Sequence, residues 1–307
     1  MKIAVIGPGA LGTLLATSLA GVGNEVWLLD HNPDRAAQIN KKLKLNIEEQ
    51  EHLLNIPVTS QPDRIGIAEL VFLCVKSMSV KQALHQATPL FTQDTLLIPF
   101  QNGIAHIEAI SNSSIAINTA FGVTSQGATL LAPGHVLHGG AGVTKIGFID
   151  SPDDQQKKQL EATAHLLSAS GFTTTTVPNI LDHIWTKLLV NIGINALTVI
   201  HDCPNGKLLE IPEARDTLIA AVREGEHVAR VLGIHIENDP VDLTLGVCRT
   251  TASNISSMLQ DTRKQKPTEI DAINGALVEK ATQLSIDVPV NQLLVKKVKQ
   301  HQSLYHS

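Results

Sequence analysis

Two stretches of this chain put ligand-binding or reactive groups at fixed spacing. The first is Gly7-Pro8-Gly9-Ala10-Leu11-Gly12, a G-x-G-x-x-G run directly after a β-branched apolar segment and at the start of a helix-like one. The first glycine permits a tight turn, the second lets a pyrophosphate approach the backbone, and the third lets the helix pack closely on the strand. The N–H groups at the helix start, with the dipole behind them, favour anionic phosphates. The second stretch covers residues 184–198, almost wholly apolar except for Lys187, Asn191 and Asn195. Those three are four residues apart and so share one helix face. On a buried helix they need hydrogen-bond partners, and a polar ligand can be that partner. The chemistry suits a carbonyl. Hydride addition makes an alkoxide, and a desolvated lysine ammonium can supply the proton or the stabilising charge while amides orient the substrate. The competing reading sends Lys187 to solvent along its apolar stem and the asparagines to backbone or a neighbouring helix.

Other residues take their meaning from position. Asp30 follows Gly12 by eighteen residues, at the end of the second strand-like segment. An acidic side chain there accepts hydrogen bonds from ribose hydroxyls and repels a 2′-phosphate, which favours NADH. His31 and Arg35 follow at once and can contact a phosphate if Asp30 turns away, so NADH and NADPH both stay open. Ligands of parallel sheets bind outside the carboxyl ends of strands, which places Lys76 and Asn102 to meet the dinucleotide. Asn254, Ser257 and Asp261 are spaced to share a helix face. Thr268 is a candidate N-cap for the next helix, with Glu269 complementing its dipole.

These groups need a scaffold, and the pattern supplies one. Strand-like segments at 2–6, 25–29, 56–59, 70–75 and 95–99 alternate with helix-like segments at 10–21, 33–43 and 80–87. That order predicts a parallel sheet with crossover helices. Glycines, threonines and histidines interleave from 122 to 147, as expected of short antiparallel strands ending the sheet, and 173–177 reads as a final strand. Beyond 179 nearly everything reads as helix: 180–201, 212–233, 239–262, 268–284 and 290–301. The expected fold is an α/β N-terminal Rossmann-type dinucleotide-binding domain over 1–178 and an all-α substrate-binding domain over 179–307.

Composition narrows the class further. The 307 residues are 43% hydrophobic and 17% charged, with a net charge of -5. There is ample apolar material for a core, and the charge is too mild for nucleic acid or an anionic membrane as main partner. Three scattered cysteines argue against a disulfide framework or a zinc site, so no metal is expected. No apolar run reaches the length of a signal peptide or a spanning helix. A cytoplasmic monomer or homodimer acting on a small molecule is the expectation.

Taken together, these segments resemble the ketopantoate reductase family. The resemblance runs from the glycine run to at least residue 280. It is most specific in W-x-K-L-x-x-N-x-x-I-N around Lys187, in Cys203-Pro204-Asn205-Gly206, and in Asn254-Ile255-Ser256-Ser257-Met258-Leu259-Gln260-Asp261 followed by Thr268-Glu269-Ile270-Asp271. It implies reduction of 2-dehydropantoate to (R)-pantoate on the way to coenzyme A, usually with NADPH, in a cleft between the two domains. Lys187 would be the general acid, with Glu269 at the cofactor supporting catalysis. Asn191, Asn195 and Asn205 would line the substrate pocket with Asn254 and Ser257 facing them, Ser257 at the substrate carboxylate. Gly7, Pro8, Gly9, Ala10, Leu11, Gly12, Lys76, Asn102 and Ala128 would contact the dinucleotide, with Asn102 also near the substrate. Family members often carry an arginine just after the second strand to grip the 2′-phosphate, where this chain has Asp30-His31. Two other readings compete. One is an NAD(P)-dependent reductase of another branched 2-keto acid, such as a mandelate-type enzyme. The other is a non-catalytic dinucleotide-binding regulator, against which the lysine and asparagine stripe argues.

Overall fold

The computed structural model describes residues 1–40, 43–47, 50–113 and 118–306. The chain forms two compact units, one of Met1–Gln101 and Ala109–Ile180, the other of Asn102–Glu108 and Leu181–Ser307. The short segment Asn102–Glu108 thus groups with the helical half, although sequence order alone puts it among the strands.

The first unit runs β1 (Lys2–Ile6), α1 (Ala10–Gly21), β2 (Glu25–Leu29), α2 (Pro33–Ile39), β3 (Leu43–Ile47), β4 (Gln50–Leu54), β5 (Val58–Thr59), β6 (Leu70–Leu73), α3 (Val80–Gln86) and β7 (Leu96–Pro99). Helix α4 (Ala105–Ser111) begins in the second unit and ends in the first. Then come β8 (Asn118–Thr119), β9 (Phe121–Thr124), β10 (Gly127–Ala132), β11 (His135–Gly140), β12 (Thr144–Gly147), α5 (Asp154–Ala169) and β13 (Thr174–Thr176). Six strands form one sheet in the order β5-β2-β1-β6-β7-β8, every pair parallel. The central strands β1 and β6 are apolar almost throughout and buried, as parallel strands covered on both faces are. Phe72 on β6 and Phe100 after β7 stack at 6.0 Å between ring centres.

Outside the main sheet, the strands depart from expectation. Those between 122 and 147 do not end the large sheet. Strands β10 and β11 join β3 and β4 in a separate four-stranded sheet, and β9 joins β12 and β13 in a three-stranded one. The β3–β4 hairpin was not anticipated, and the helix expected over 33–43 stops at Ile39, with residues 41–42 outside the described residues.

The helical unit contains α6 (Ile180–His201), α7 (Pro212–Val231), α8 (Pro240–Thr250), α9 (Ser257–Arg263), α10 (Ala276–Gln283) and α11 (Pro289–Ser303). The helix expected over 239–262 breaks in two. Its second part starts afresh at Ser256, whose hydroxyl caps the Leu259 N–H at 3.1 Å. The helix expected from 268 opens as a π turn over Asp271–Gly275 before α10 begins. Helix α6 is long and apolar enough to cross a bilayer, contrary to the sequence reading. However, 67% of its apolar window is buried by the protein's own side chains, as in the core helix of a globular unit.

Candidate active site

In the first unit the glycine run forms the turn between β1 and α1. Gly7 has φ +101°, and a Cβ there would lie 2.8 Å from the Val75 nitrogen. A Cβ on Gly12 would come within 2.0 Å of the Gly7 carbonyl oxygen. Both glycines are therefore demanded by the chain's own packing. Gly9 is different: the nearest atom to a Cβ there is the Cys74 carbonyl oxygen at 4.0 Å. The space over Gly9 is open, and Gly9, the N-cap of α1, supplies no side chain to the N–H groups of the first turn. An open cradle with uncapped N–H groups fits a pyrophosphate. Pro8 is buried, whereas Ala10 and Leu11 are half-buried in the same turn. Lys76 follows β6 in extended conformation and is half-buried. Ala128 lies on β10 opposite His138 and packs against the apolar core.

Asp30 is not a bare carboxylate. Its side chain is 0% exposed and forms a two-pronged ion pair with Arg35. The Arg35 Nε donates to Oδ2, and Nη2 donates to Oδ1 at 2.5 Å. Oδ1 also accepts the Asn32 N–H at 3.1 Å, and the exposed His31 ring lies 3.5 Å away. The carboxylate in turn holds the Arg35 pKa above its usual value. The physical reason is local: Asn32 caps α2 by accepting the Arg35 N–H at 2.9 Å, which starts the helix and brings the guanidinium back to the strand end.

In the helical unit, Lys187, Asn191 and Asn195 share a face of α6, as their spacing requires. Lys187 is half-buried. Burial pushes its amine down from 10.5 to about 8, with the negative charge of Glu269 opposing that shift. Among the described residues no hydrogen bond is seen to the side chains of Asn191 or Asn195, and Asn195 is 5% exposed. Asn205 is buried as well. Its N–H donates to the Asn254 carbonyl at 3.0 Å and its Nδ2 to Thr251 Oγ1 at 2.9 Å, whereas its Oδ1 is buried without a partner. Asn254 itself lies in the loop before α9, not on a helix face, and both it and Ser257 are exposed. Ser256, which sequence reasoning passed over, is the buried member of the pair and shares a 2.6 Å hydrogen bond with Thr198 of α6.

The segment Asn102–Glu108 completes this cluster. Asn102 Nδ2 donates to Glu269 Oε2 at 3.1 Å. Gly103, at φ +78°, lies so close to Ala272 that a Cβ would sit 1.9 Å from its carbonyl oxygen, and the Ile104 N–H donates to that same oxygen at 3.3 Å. Lys280 pairs with Glu108 at 3.5 Å. Docked in this way, the segment delivers His106, which is 1% exposed. Burial, reinforced by the Lys187 charge, pushes the imidazole down to about 3, so it stays neutral at ordinary pH. Sequence reasoning missed His106, because a single histidine offers no spacing to read. Lys187, Glu269, His106 and Asn102 thus form one electrostatic group within one unit, with Asn191 and Asn195 farther along α6. No group of three or more His, Cys, Asp or Glu side chains among the described residues is arranged to hold a metal ion.

Comparison with known proteins now adds to this geometry. The family model described as ketopantoate reductase PanE/ApbA matches residues 3–151, and the model of that family's C-terminal part matches 179–302. A 2-dehydropantoate 2-reductase of Halobacterium salinarum is 32% identical over 302 residues, covering 97% of this chain and 98% of its own. The crystal structure of a PanE/ApbA family ketopantoate reductase from Ralstonia eutropha superposes with a TM-score of 0.91 at 28% identity, with all of both chains covered. A D-mandelate dehydrogenase, solved with NADH and anilino(oxo)acetate, superposes equally completely, with a TM-score of 0.92 at 28% identity. Motifs, fold and full-length similarity agree, and the chain belongs to the ketopantoate reductase family of NAD(P)-dependent oxidoreductases.

Proposed function

We propose that this enzyme reduces 2-dehydropantoate to (R)-pantoate, the step that supplies pantothenate and coenzyme A synthesis, with Lys187 as the general acid. The observation that carries this reading is the setting of Lys187: a half-buried amine on an apolar helix, next to Glu269 and a neutral His106, with its pKa brought down to about 8. An ammonium in that range is still charged at neutral pH and is a stronger acid than a solvated lysine, which suits proton delivery to an alkoxide. Bound NAD(P)H supplies the hydride. Glu269 keeps the amine protonated through its charge, and Asn102 holds Glu269 through the 3.1 Å hydrogen bond. The amides of Asn191, Asn195 and Asn205 offer unused donors and acceptors for the hydroxyl and carboxylate of the keto acid, with Asn254 and the Ser257 hydroxyl at its carboxylate end. In this reading residues 1–178 bind the dinucleotide and 179–307 the keto acid, with 102–108 joining the second group.

Gly7–Gly12, Lys76 and Ala128 are assigned to the dinucleotide. For the choice between its two forms, the saturation of Asp30 by Arg35 matters most. A neutralised carboxylate does not repel a 2′-phosphate, and Arg35, 40% exposed, adds a cation to the same turn. We therefore favour NADPH, with NADH as the weaker partner.

A second reading has its own support. The full-length superposition on a D-mandelate dehydrogenase bound to NADH favours a reductase of a different branched 2-keto acid. One assay separates the alternatives. Purified protein is mixed with 2-dehydropantoate, or with an aryl 2-keto acid, and the oxidation of NADPH and of NADH is followed in parallel. Rapid oxidation of NADPH with 2-dehydropantoate is the expected result. Preference for the aryl acid would select the second reading, and dinucleotide binding without oxidation by either acid would mark a regulator.

A further inference from the structure

One buried polar group in the helical unit has no part in the reaction as described. Asn274 lies in the π turn Asp271–Gly275, which begins two residues after Glu269, and is 0% exposed. Its Nδ2 donates to two acceptors. One is the Ile192 carbonyl of α6, at 3.4 Å, five residues beyond Lys187; the other is Asn291 Oδ1 at the start of α11, at 2.9 Å. Asn291, also 0% exposed, donates from its own Nδ2 to the Ala221 carbonyl at 3.0 Å and to Glu224 Oε2 at 2.8 Å, both on α7. Glu224 in turn accepts the Val290 and Asn291 N–H groups at 2.9 and 3.0 Å, tying down the first turn of α11.

We propose that Asn274 is a positioning residue for the reduction: through Ile192 and Asn291 it fixes the turn that follows Glu269, whose carbonyl accepts the Ala272 and Ile273 N–H groups at 3.0 and 3.1 Å, against the helix that carries Lys187. The inference rests on the reading of Lys187 as the acid. Three features support it. First, a π turn is rare and weakly held by its own ladder, and here the Gly275 N–H reaches back to Ile270 at 2.9 Å. A side-chain amide that pins such a turn to two neighbouring helices removes its freedom to slide. Second, Asn274 Oδ1 is buried with no hydrogen-bond partner among the described residues. A half-satisfied amide is a net cost to stability compared with an apolar side chain, so its place is better explained by geometry than by stability. Third, the turn is the meeting point of the cluster: Ala272 accepts the Ile104 N–H, and Asn102 reaches Glu269 from the same docked segment.

The consequence for Lys187 has a definite sign. Two titratable groups act on its amine from other elements. His106 on α4 stays neutral, whereas Glu269 is negative and keeps the amine's pKa from falling further. Loosening the turn lets Glu269 drift and lowers the pKa of Lys187.

The test compares the wild type with Asn274→Ala and Val228→Ala, the latter shortening a buried α7 side chain that takes no part in these hydrogen bonds. The ionisation of Lys187 is read directly by NMR of protein labelled with side-chain 13C-lysine, the resonance being assigned by its absence in Lys187→Arg. In Asn274→Ala the Lys187 titration should move to lower pH and kcat should fall about ten- to a hundredfold, with dinucleotide affinity unchanged. In Val228→Ala thermal stability should fall while the titration stays in place. If Asn274→Ala does not fold, Asn291→Ser, which disturbs the acceptor of the same amide, is read in the same way. A wild-type Lys187 titration and wild-type kcat in the Asn274 or Asn291 variant would overturn the proposal, as would an equal titration shift in Val228→Ala. Failure of the underlying reading looks different: Lys187→Ala would then turn over normally, whatever the titration in Asn274→Ala.

Discussion

The end of β2 and the polar stripe of α6 both carry polar side chains in apolar surroundings, yet they differ in how those groups are satisfied. At the end of β2, Asp30 spends its carboxylate on Arg35 and on the Asn32 N–H, leaving a neutral, internally closed unit. On α6, no partner is seen for the amides of Asn191 and Asn195 among the described residues, and in the same unit the Asn205 Oδ1 is buried and unbonded. Buried polar groups are normally paired, so a closed set serves the fold, whereas an open set is available to a ligand. The same contrast runs through the glycine turn, where Gly7 and Gly12 are crowded by the protein and Gly9 is not.

Substitutions can break or sharpen that contrast. The largest effect is expected at the charged residue of the α6 stripe. Lys187→Ala should reduce turnover by about two orders of magnitude or more while dinucleotide binding, followed by fluorescence titration, is retained. Asp30→Ala attacks the closed set and should act on stability first. Loss of the Asn32 and Arg35 hydrogen bonds should cost about 1–3 kcal/mol in denaturant unfolding, and turnover with saturating cofactor should persist. A destabilisation near zero would show that the pair is not structural. Asn191→Ala should do the reverse, raising KM for the keto acid about tenfold while stability stays within about 0.5 kcal/mol of wild type. Gly9→Ala belongs with the open set. It should weaken dinucleotide binding without unfolding the protein, whereas Gly12→Ala should destabilise it because its Cβ meets the Gly7 carbonyl.

Much of this was legible in the sequence, for reasons that are local. The glycine turn could be read because its sterics lie within six residues and between a strand and a helix. The α6 stripe could be read because helical spacing alone puts Lys187, Asn191 and Asn195 on one face. What stayed hidden depends on distant partners. Asn102 and Glu269 are 167 residues apart in the chain, and only the folded unit shows that 102–108 docks on the turn after Glu269 and brings in His106. The state of Asp30 stayed open in the sequence because its partner, five residues on, is brought back only by the cap at Asn32. Asn254 was placed on a helix because its spacing to Ser257 and Asp261 fits one, but the chain leaves helix after Thr250 and re-enters it at Ser257. In the β3–β4 hairpin, β3 alternates as Leu43-Lys44-Leu45-Asn46-Ile47, a strand signal that was passed over, whereas β4 opens with the polar run Gln50-Glu51-His52 and the pairing of β3 with β11 is long-range.

Central to the account is a lysine ammonium that must be charged to work and that burial has made easier to discharge. The linkage has two faces. The folded-state pKa of Lys187 is lowered, so between about 8 and the ordinary lysine value of 10.5 the unfolded chain holds the proton more tightly than the folded one. Stability contributed by this group therefore rises across that window while activity falls, because the same proton is lost. The most direct test is the rate of hydride transfer, measured by rapid mixing of protein, NADPH and 2-dehydropantoate across that window. The account predicts a level rate at lower pH and a fall beginning near 8, with the fall absent from the residual rate of Lys187→Ala. A rate that holds level to the ordinary lysine range, or a limb near 8 that survives in Lys187→Ala, would contradict it.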